Sequence, residues 1–213
     1  MSEEITAQIL LNAYANGVFP MSESKDDPEL FWVDPRLRGV IPLDDFHISK
    51  SLKKHIRKAG LSVRLNSDFA AVLDHCADRD ETWINDTIRA LYIELHDFGY
   101  AHSIEVYQDR DLIGGAYGVT LGGAFFGESM FSRHVNGSKV ALAYLVAHLK
   151  RCGFTLLDTQ FITEHLASMG GKEIPRAQYH QQLNAALDID ADFLAYSDAP
   201  ATASVLQRST QTS

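Results

Sequence analysis

Cysteine is scarce in this sequence. Cys76 and Cys152 are its only two, far apart and in no metal-ligand spacing. That argues against a disulfide scaffold or a zinc module and predicts reduced, partly buried thiols in a cytoplasmic protein. Long apolar runs are missing too: nothing approaches the ~18–20 residues that cross a bilayer. The opening MSEEITAQILL is acidic and has neither the basic stretch nor the small-residue cleavage site of a secretion signal. Positive charge is short, with 19 Lys and Arg against 28 Asp and Glu and a net charge of −9. A generic nucleic-acid binder has the opposite sign. There is no Walker loop, G-x-G-x-x-G, H-E-x-x-H or G-x-S-x-G. The nine histidines are scattered, so a metal site would need distant ligands; none is expected, and no cofactor.

What is present is a chain of 213 residues, 46% hydrophobic along its length, enough for one sizeable domain with or without a smaller lobe. Its positive charge is concentrated. No carboxylate occurs between Asp45 and Asp68, while Lys50, Lys53, Lys54, Arg57 and Lys58 fall within nine residues. On composition alone this is either a solvated helix face or a local phosphate contact.

The pattern predicts an amphipathic helix over 4–16, an extended segment from Phe31 to Pro42, and a basic helix over 48–59 capped by Ser49. A strand over 61–65 and helices over 68–76 and 86–98 follow. HSIEVY (102–107), LIGGAYGV (112–119) and AFFGESMFS (124–132) read as an antiparallel meander. A helix over 138–151, capped by Asn136 or Ser138, leads to a buried strand over 154–157 and a short helix over 163–169. A last helix has Pro175 near its first turn. The expected fold is α/β: a small N-terminal lobe (1–60), a domain with a mostly antiparallel sheet flanked by helices (61–197), and a disordered tail (198–213). This layout is that of GNAT acyltransferases. In that fold a glycine-rich loop before the long helix holds coenzyme A pyrophosphate. Here the loop reads Arg133-His134-Val135-Asn136-Gly137-Ser138, whose polar side chains crowd such a nest.

Several motifs then occur in a familiar order: Phe31-Trp32 with Asp34-Pro35-Arg36, His47-Ile48-Ser49-Lys50-Ser51, Thr82-Trp83-Ile84, His102-Ser103-Ile104-Glu105, Gly127 through Ser132, Asp158-Thr159-Gln160, His165, and Ile174-Pro175-Arg176. Over roughly residues 5–187 the sequence resembles the leucyl/phenylalanyl-tRNA–protein transferases. The resemblance implies a GNAT-like catalytic domain and transfer of Leu or Phe from charged tRNA to proteins beginning with Arg or Lys, marking them for degradation. It also implies a cytoplasmic monomer that needs no cofactor.

The resemblance carries roles to particular residues. Asp158 orients and polarises Gln160, which receives the attacking amine. Glu128 binds the basic acceptor side chain. Ala116, Phe125, Gly127, Met130 and Leu157 form the aminoacyl side-chain pocket, and relatives often carry Met at the place of Ala116. Trp32, Trp83, Tyr92 and Tyr14 contact the tRNA 3′-adenosine, and Lys50, Lys53, Lys54, Arg57 and Lys58 the tRNA backbone. Three alternatives stay open: an acyl-coenzyme A N-acyltransferase, a non-catalytic module that binds aminoacyl-tRNA, and a Leu transferase acting on acidic N-termini.

Overall fold

Residues 101–132 alternate apolar and small side chains, and each strand is long enough to pair fully with the next. In the computed structural model, which describes residues 5–25, 27, 29–79 and 82–207, they form the expected meander. β5 (Ala101–Gln108), β6 (Asp111–Leu121) and β7 (Ala124–Ser132) pair antiparallel in sequence. They are the centre of a seven-stranded sheet of order β4-β5-β6-β7-β8-β3-β9. The other members are β3 (Leu37–Val40), β4 (Leu61–Leu65), β8 (Leu156–Gln160) and β9 (Lys172–Pro175). Only β7 and β8 run parallel. Strands β1 (Phe19–Met21) and β2 (Phe31–Val33) make a separate two-stranded ribbon.

Helices cover both faces. On one lie α1 (Ala7–Ala15), α3 (Phe69–Ala77), α4 (Asp86–Asp97) and α7 (Arg176–Leu187), packed through residues such as Leu10, Val72, Ile88 and Leu183. On the other lies α5 (Gly137–Arg151), with α2 (Lys50–Lys58), the single turn α6 (Glu164–Ala167) and α8 (Thr202–Gln207) beyond it. α5 approaches the sheet closely because Gly114 and Gly137 meet with no side chain between them. A Cβ on Gly114 would lie 2.5 Å from the Gly137 backbone.

β3 is an interior strand between β8 and β9, and the described residues up to 60 share both cores with the rest of the chain. Three expectations are revised. The tail is ordered as far as Gln207: α8 buries Val205 and Leu206, and Tyr144 Oη lies 2.7 Å from Thr202 Oγ1. Residues 208–213 lie outside the described residues. Neither Asn136 nor Ser138 caps α5 through its side chain. Asn136 takes a left-handed conformation (φ 71°), and Ser132 Oγ receives the Ser138 N–H instead. The strand expected over 154–157 begins at Leu156 and runs on to Gln160, and β9 was not anticipated.

Candidate active site

The parallel pairing of β7 with β8 ends at Phe126 and Asp158, and the strands part beyond it. There β7 also carries a bulge: Tyr117 faces Ser129 and Gly118 faces Gly127, leaving Glu128 as the extra residue. The gap is closed by side chains, with Gln160 Nε2 donating to Glu128 Oε1 at 3.0 Å. Gln160 sits at φ 55°, a left-handed conformation that a non-glycine residue adopts only where its surroundings hold it.

The hold comes from Asp158. Its Oδ1 accepts the Gln160 backbone N–H at 2.9 Å. The same fully buried carboxylate receives Arg38 through Nε (2.9 Å to Oδ1) and Nη2 (2.7 Å to Oδ2), and the Tyr179 hydroxyl at 2.8 Å. Arg38 is itself clamped between the rings of Phe19 and Tyr179, 4.5 and 4.4 Å from their centroids, and donates Nη1 to the Gly17 carbonyl. A charge pair taken wholly out of water needs this completeness, since each unmet hydrogen bond inside would cost stability.

Glu128 is buried and forms no ion pair with a described residue. Tyr92 Oη donates to its Oε2 at 2.7 Å, and Tyr14 Oη lies 2.6 Å from Tyr92 Oη. Burial pushes its carboxyl up to about 7, against the pull of the tyrosine hydrogen bonds, with the nearby Asp158 charge adding to the rise. Burial also pushes Tyr14 and Tyr92 well above the usual phenol range, so both stay hydroxyl donors.

These groups stand at one side of a cavity of about 340 Å³. Its apolar part is lined by Ala116, Met130, Leu142, Leu145, Leu157 and Leu166. Three buried polar atoms of lining residues have no hydrogen-bond partner among the described residues: Tyr117 Oη, Thr159 Oγ1 and His165 Nε2. Buried polar atoms are usually paired, so three orphans around one chamber mark a place built to receive polar groups of a ligand. A larger groove of about 610 Å³, where Asp44 and Lys150 lie beside the start of β8, has no such orphan in its lining.

The structure brings most of the anticipated residues together. Ala116, Gly127, Glu128, Met130, Leu157, Gln160 and Trp83 all line the chamber, and Asp158 stands behind Gln160. Phe125 does not line it; its buried ring packs on Phe193. Tyr14 and Tyr92 have no exposed surface. Their rings are covered, and their hydroxyls serve Glu128, Tyr92 directly and Tyr14 through Tyr92. Trp32 is exposed on β2 and is not part of the chamber wall. On α2, Leu52 and Ile56 face the core while Lys50, Lys54, Arg57 and Lys58 are exposed and Lys53 is half-buried. None of the five forms an ion pair with another described residue. Neither Arg133 nor Arg176 reaches Glu128; Arg176 pairs with Asp34.

Arg38 and Tyr179 were not anticipated. The available signal was an arginine inside the short strand Leu37-Arg38-Gly39-Val40, because a cation in such a segment needs a buried anion. The bulge that turns Glu128 inward left no mark in the spacing.

A buried carboxylate tied to a carboxamide, beside an apolar chamber with unpartnered polar atoms in its wall, defines the class of site. The comparison with known sequences gives the family. The family model described as leucyl/phenylalanyl-tRNA protein transferase matches residues 40–184, and that for its N-terminal domain matches residues 3–36. The leucyl/phenylalanyl-tRNA–protein transferase of Cereibacter sphaeroides is 59% identical over 209 residues, 98% of either chain. That of a Ruegeria species is also 59% identical, covering 98% of this chain and 99% of the relative. The chain belongs to the leucyl/phenylalanyl-tRNA–protein transferase family. Among solved structures, FemX aligns with a TM-score of 0.48 at 13% identity, over 84% of this chain and 72% of its own.

Proposed function

We propose that this protein transfers Leu or Phe from the 3′ end of a charged tRNA to the N-terminal Arg or Lys of acceptor proteins, and that acceptors so extended are destined for degradation. It works in the cytoplasm as a monomer without a cofactor. The observation that carries this reading is Glu128, a buried carboxylate with no cationic partner among the described residues, at the wall of an apolar chamber. A guanidinium or ammonium from an acceptor supplies the missing counter-charge.

The donor ester is already activated towards amines, so the protein has to orient the nucleophile and take up charge. An α-amino group has a pKa of about 7.7–8 and needs help to react as the neutral amine. Gln160 spends its Nε2 donor on Glu128, and its Oε1 accepts from no described residue. That oxygen receives the amine N–H. The Nε2–Glu128 bond polarises the carboxamide and makes Oε1 the better acceptor. Asp158 contributes by fixing the Gln160 backbone, not by touching its side chain. The Leu or Phe side chain lies against Ala116, Met130 and Leu157. Trp83 at the chamber and Trp32 on the ribbon serve the terminal adenosine. The cations of α2 hold phosphates, which fixes position without reading sequence.

The test uses radiolabelled Leu-tRNA with model proteins beginning with Arg, Asp or Met, counting label left in protein after hot-acid hydrolysis of the tRNA ester. Label on the Arg protein alone is expected. Label on the Asp protein would overturn the role of Glu128, and binding of Leu-tRNA with no label anywhere would overturn the enzyme assignment.

A further inference from the structure

Resting on the transfer reading above, we propose that the Tyr117 hydroxyl is the donor that stabilises the oxyanion formed on the ester carbonyl during attack. Tyr117 is 1% exposed, lines the chamber, and its Oη has no partner among the described residues. The other buried tyrosine hydroxyls are engaged: Tyr14 and Tyr92 with each other and Glu128, Tyr179 with Asp158, Tyr144 with Thr202. The ring cannot swing away to find water. It is held edge-on by Phe69 and Tyr92, with centroids 5.8 and 5.3 Å away at 81° and 74°. Its strand position faces Ser129, next to the bulged Glu128. Burial, with the Glu128 charge next in effect, pushes the phenol well above its usual range, so the oxygen keeps its proton at any working pH.

The reaction needs complementary groups. The attacking amine needs an acceptor, and Gln160 Oε1 supplies it. The carbonyl oxygen needs a donor when its π electrons move onto it. As the amine lone pair forms the C–N bond, that oxygen becomes anionic and Tyr117 O–H donates to it. Collapse restores C=O and breaks the bond to the ribose 3′ oxygen. The proton lost from nitrogen ends on that oxygen, directly or through water. A fixed donor with no ground-state partner fits this task, because its hydrogen bond is made only as charge develops. Elsewhere the same orphan hydroxyl would merely cost stability.

The decisive variants are Tyr117→Phe, which removes one oxygen, and Tyr144→Phe, which removes a tyrosine hydroxyl outside the chamber. Both are assayed with wild type for kcat and KM with Leu-tRNA and an Arg-starting peptide. Thermal unfolding and binding of a non-reactive amide analogue of leucyl-adenosine complete the comparison. The expected result for Tyr117→Phe is a kcat lower by about 10²-fold, unchanged KM and analogue binding, and a Tm equal to or above wild type. A merely structural hydroxyl would lower Tm and leave kcat alone. Full activity of Tyr117→Phe beside an active wild type, or an equal loss of kcat in Tyr144→Phe, would overturn this proposal alone. A wild type that transfers nothing would overturn the transfer reading and this proposal with it.

Discussion

Arg38 and Asp158, 120 positions apart in the chain, meet as a two-point ion pair with no water-exposed surface worth the name: the side chains are 1% and 0% exposed and Nη2 lies 2.7 Å from Oδ2. The carboxylate is already satisfied by Arg38, Tyr179 and the Gln160 N–H, which suits it to hold geometry and leaves it no free lone pair to offer a substrate.

Arg38→Met therefore strands a buried charge. Stability is expected to fall by about 3–5 kcal/mol, measured by urea unfolding. Adding Asp158→Asn to that variant should recover part of the loss, giving a coupling of about 0.5–3 kcal/mol. Strictly additive losses would show that the pair is not the unit described.

Glu128 makes stability depend on pH in a definite direction. Its folded-state carboxyl titrates at about 7 against 4.5 for the free group. Between those values the folded protein holds the extra proton, so stability is full below pH 4.5 and declines as pH rises through 7. By pH 8 the decline amounts to up to about 3 kcal/mol. In Glu128→Gln this part of the decline is absent, so the variant should gain on wild type as pH rises. The difference between the two unfolding curves at pH 4 and pH 8 reads the effect. The variant also loses its preference for Arg over Met acceptors.

Ala116 pairs across the sheet with Met130, and both line the chamber. Ala116→Met fills space that a Phe side chain would use. The ratio of kcat/KM for Phe-tRNA over Leu-tRNA is expected to fall by about tenfold, within the range that differences of a few carbon atoms produce. An unchanged ratio would place the donor side chain elsewhere.

Lys54 and Arg57 are exposed and without ion pairs among the described residues. Lys54→Gln with Arg57→Gln should leave folding stability within about 0.5 kcal/mol. It should make the plot of log affinity for tRNA against log salt shallower by about 0.9 for each duplex phosphate that is no longer neutralised. Filter binding across a salt series checks it.

The sequence was most legible where local signals and tertiary packing agree. The meander of β5 to β7 and the Ser49 cap of α2 follow from alternation and from a hydroxyl side chain at the helix start. Ala116, Gly127, Glu128, Met130, Leu157 and Gln160 could be gathered because long motifs place them, although spacing alone would have left them as core. The hydroxyl contacts of Tyr14 and Tyr92 were not legible, because an aromatic residue looks the same from sequence whether its ring or its hydroxyl is used. Arg38, Tyr179 and β9 were unreadable for another reason: each is defined by a partner far away in the chain. The buried Val205 and Leu206 were hidden by the polar residues around them, which gave that segment the composition of a tail.

The interior place of β3 has a kinetic consequence. Its two neighbours, β8 and β9, are translated after more than a hundred further residues, and at 5–20 residues per second the interval is roughly 6–24 s. During that time Arg38 has no Asp158 to meet, and both edges of β3 are unpaired. Closing such a distant pairing is slow compared with local structure. The cleft between β7 and β8 is thus among the last parts of the molecule to assemble. A chain interrupted before residue 160 carries most of the fold's apolar surface but lacks the Gln160–Glu128 bond, and it exposes a strand edge to whatever protects unfinished chains.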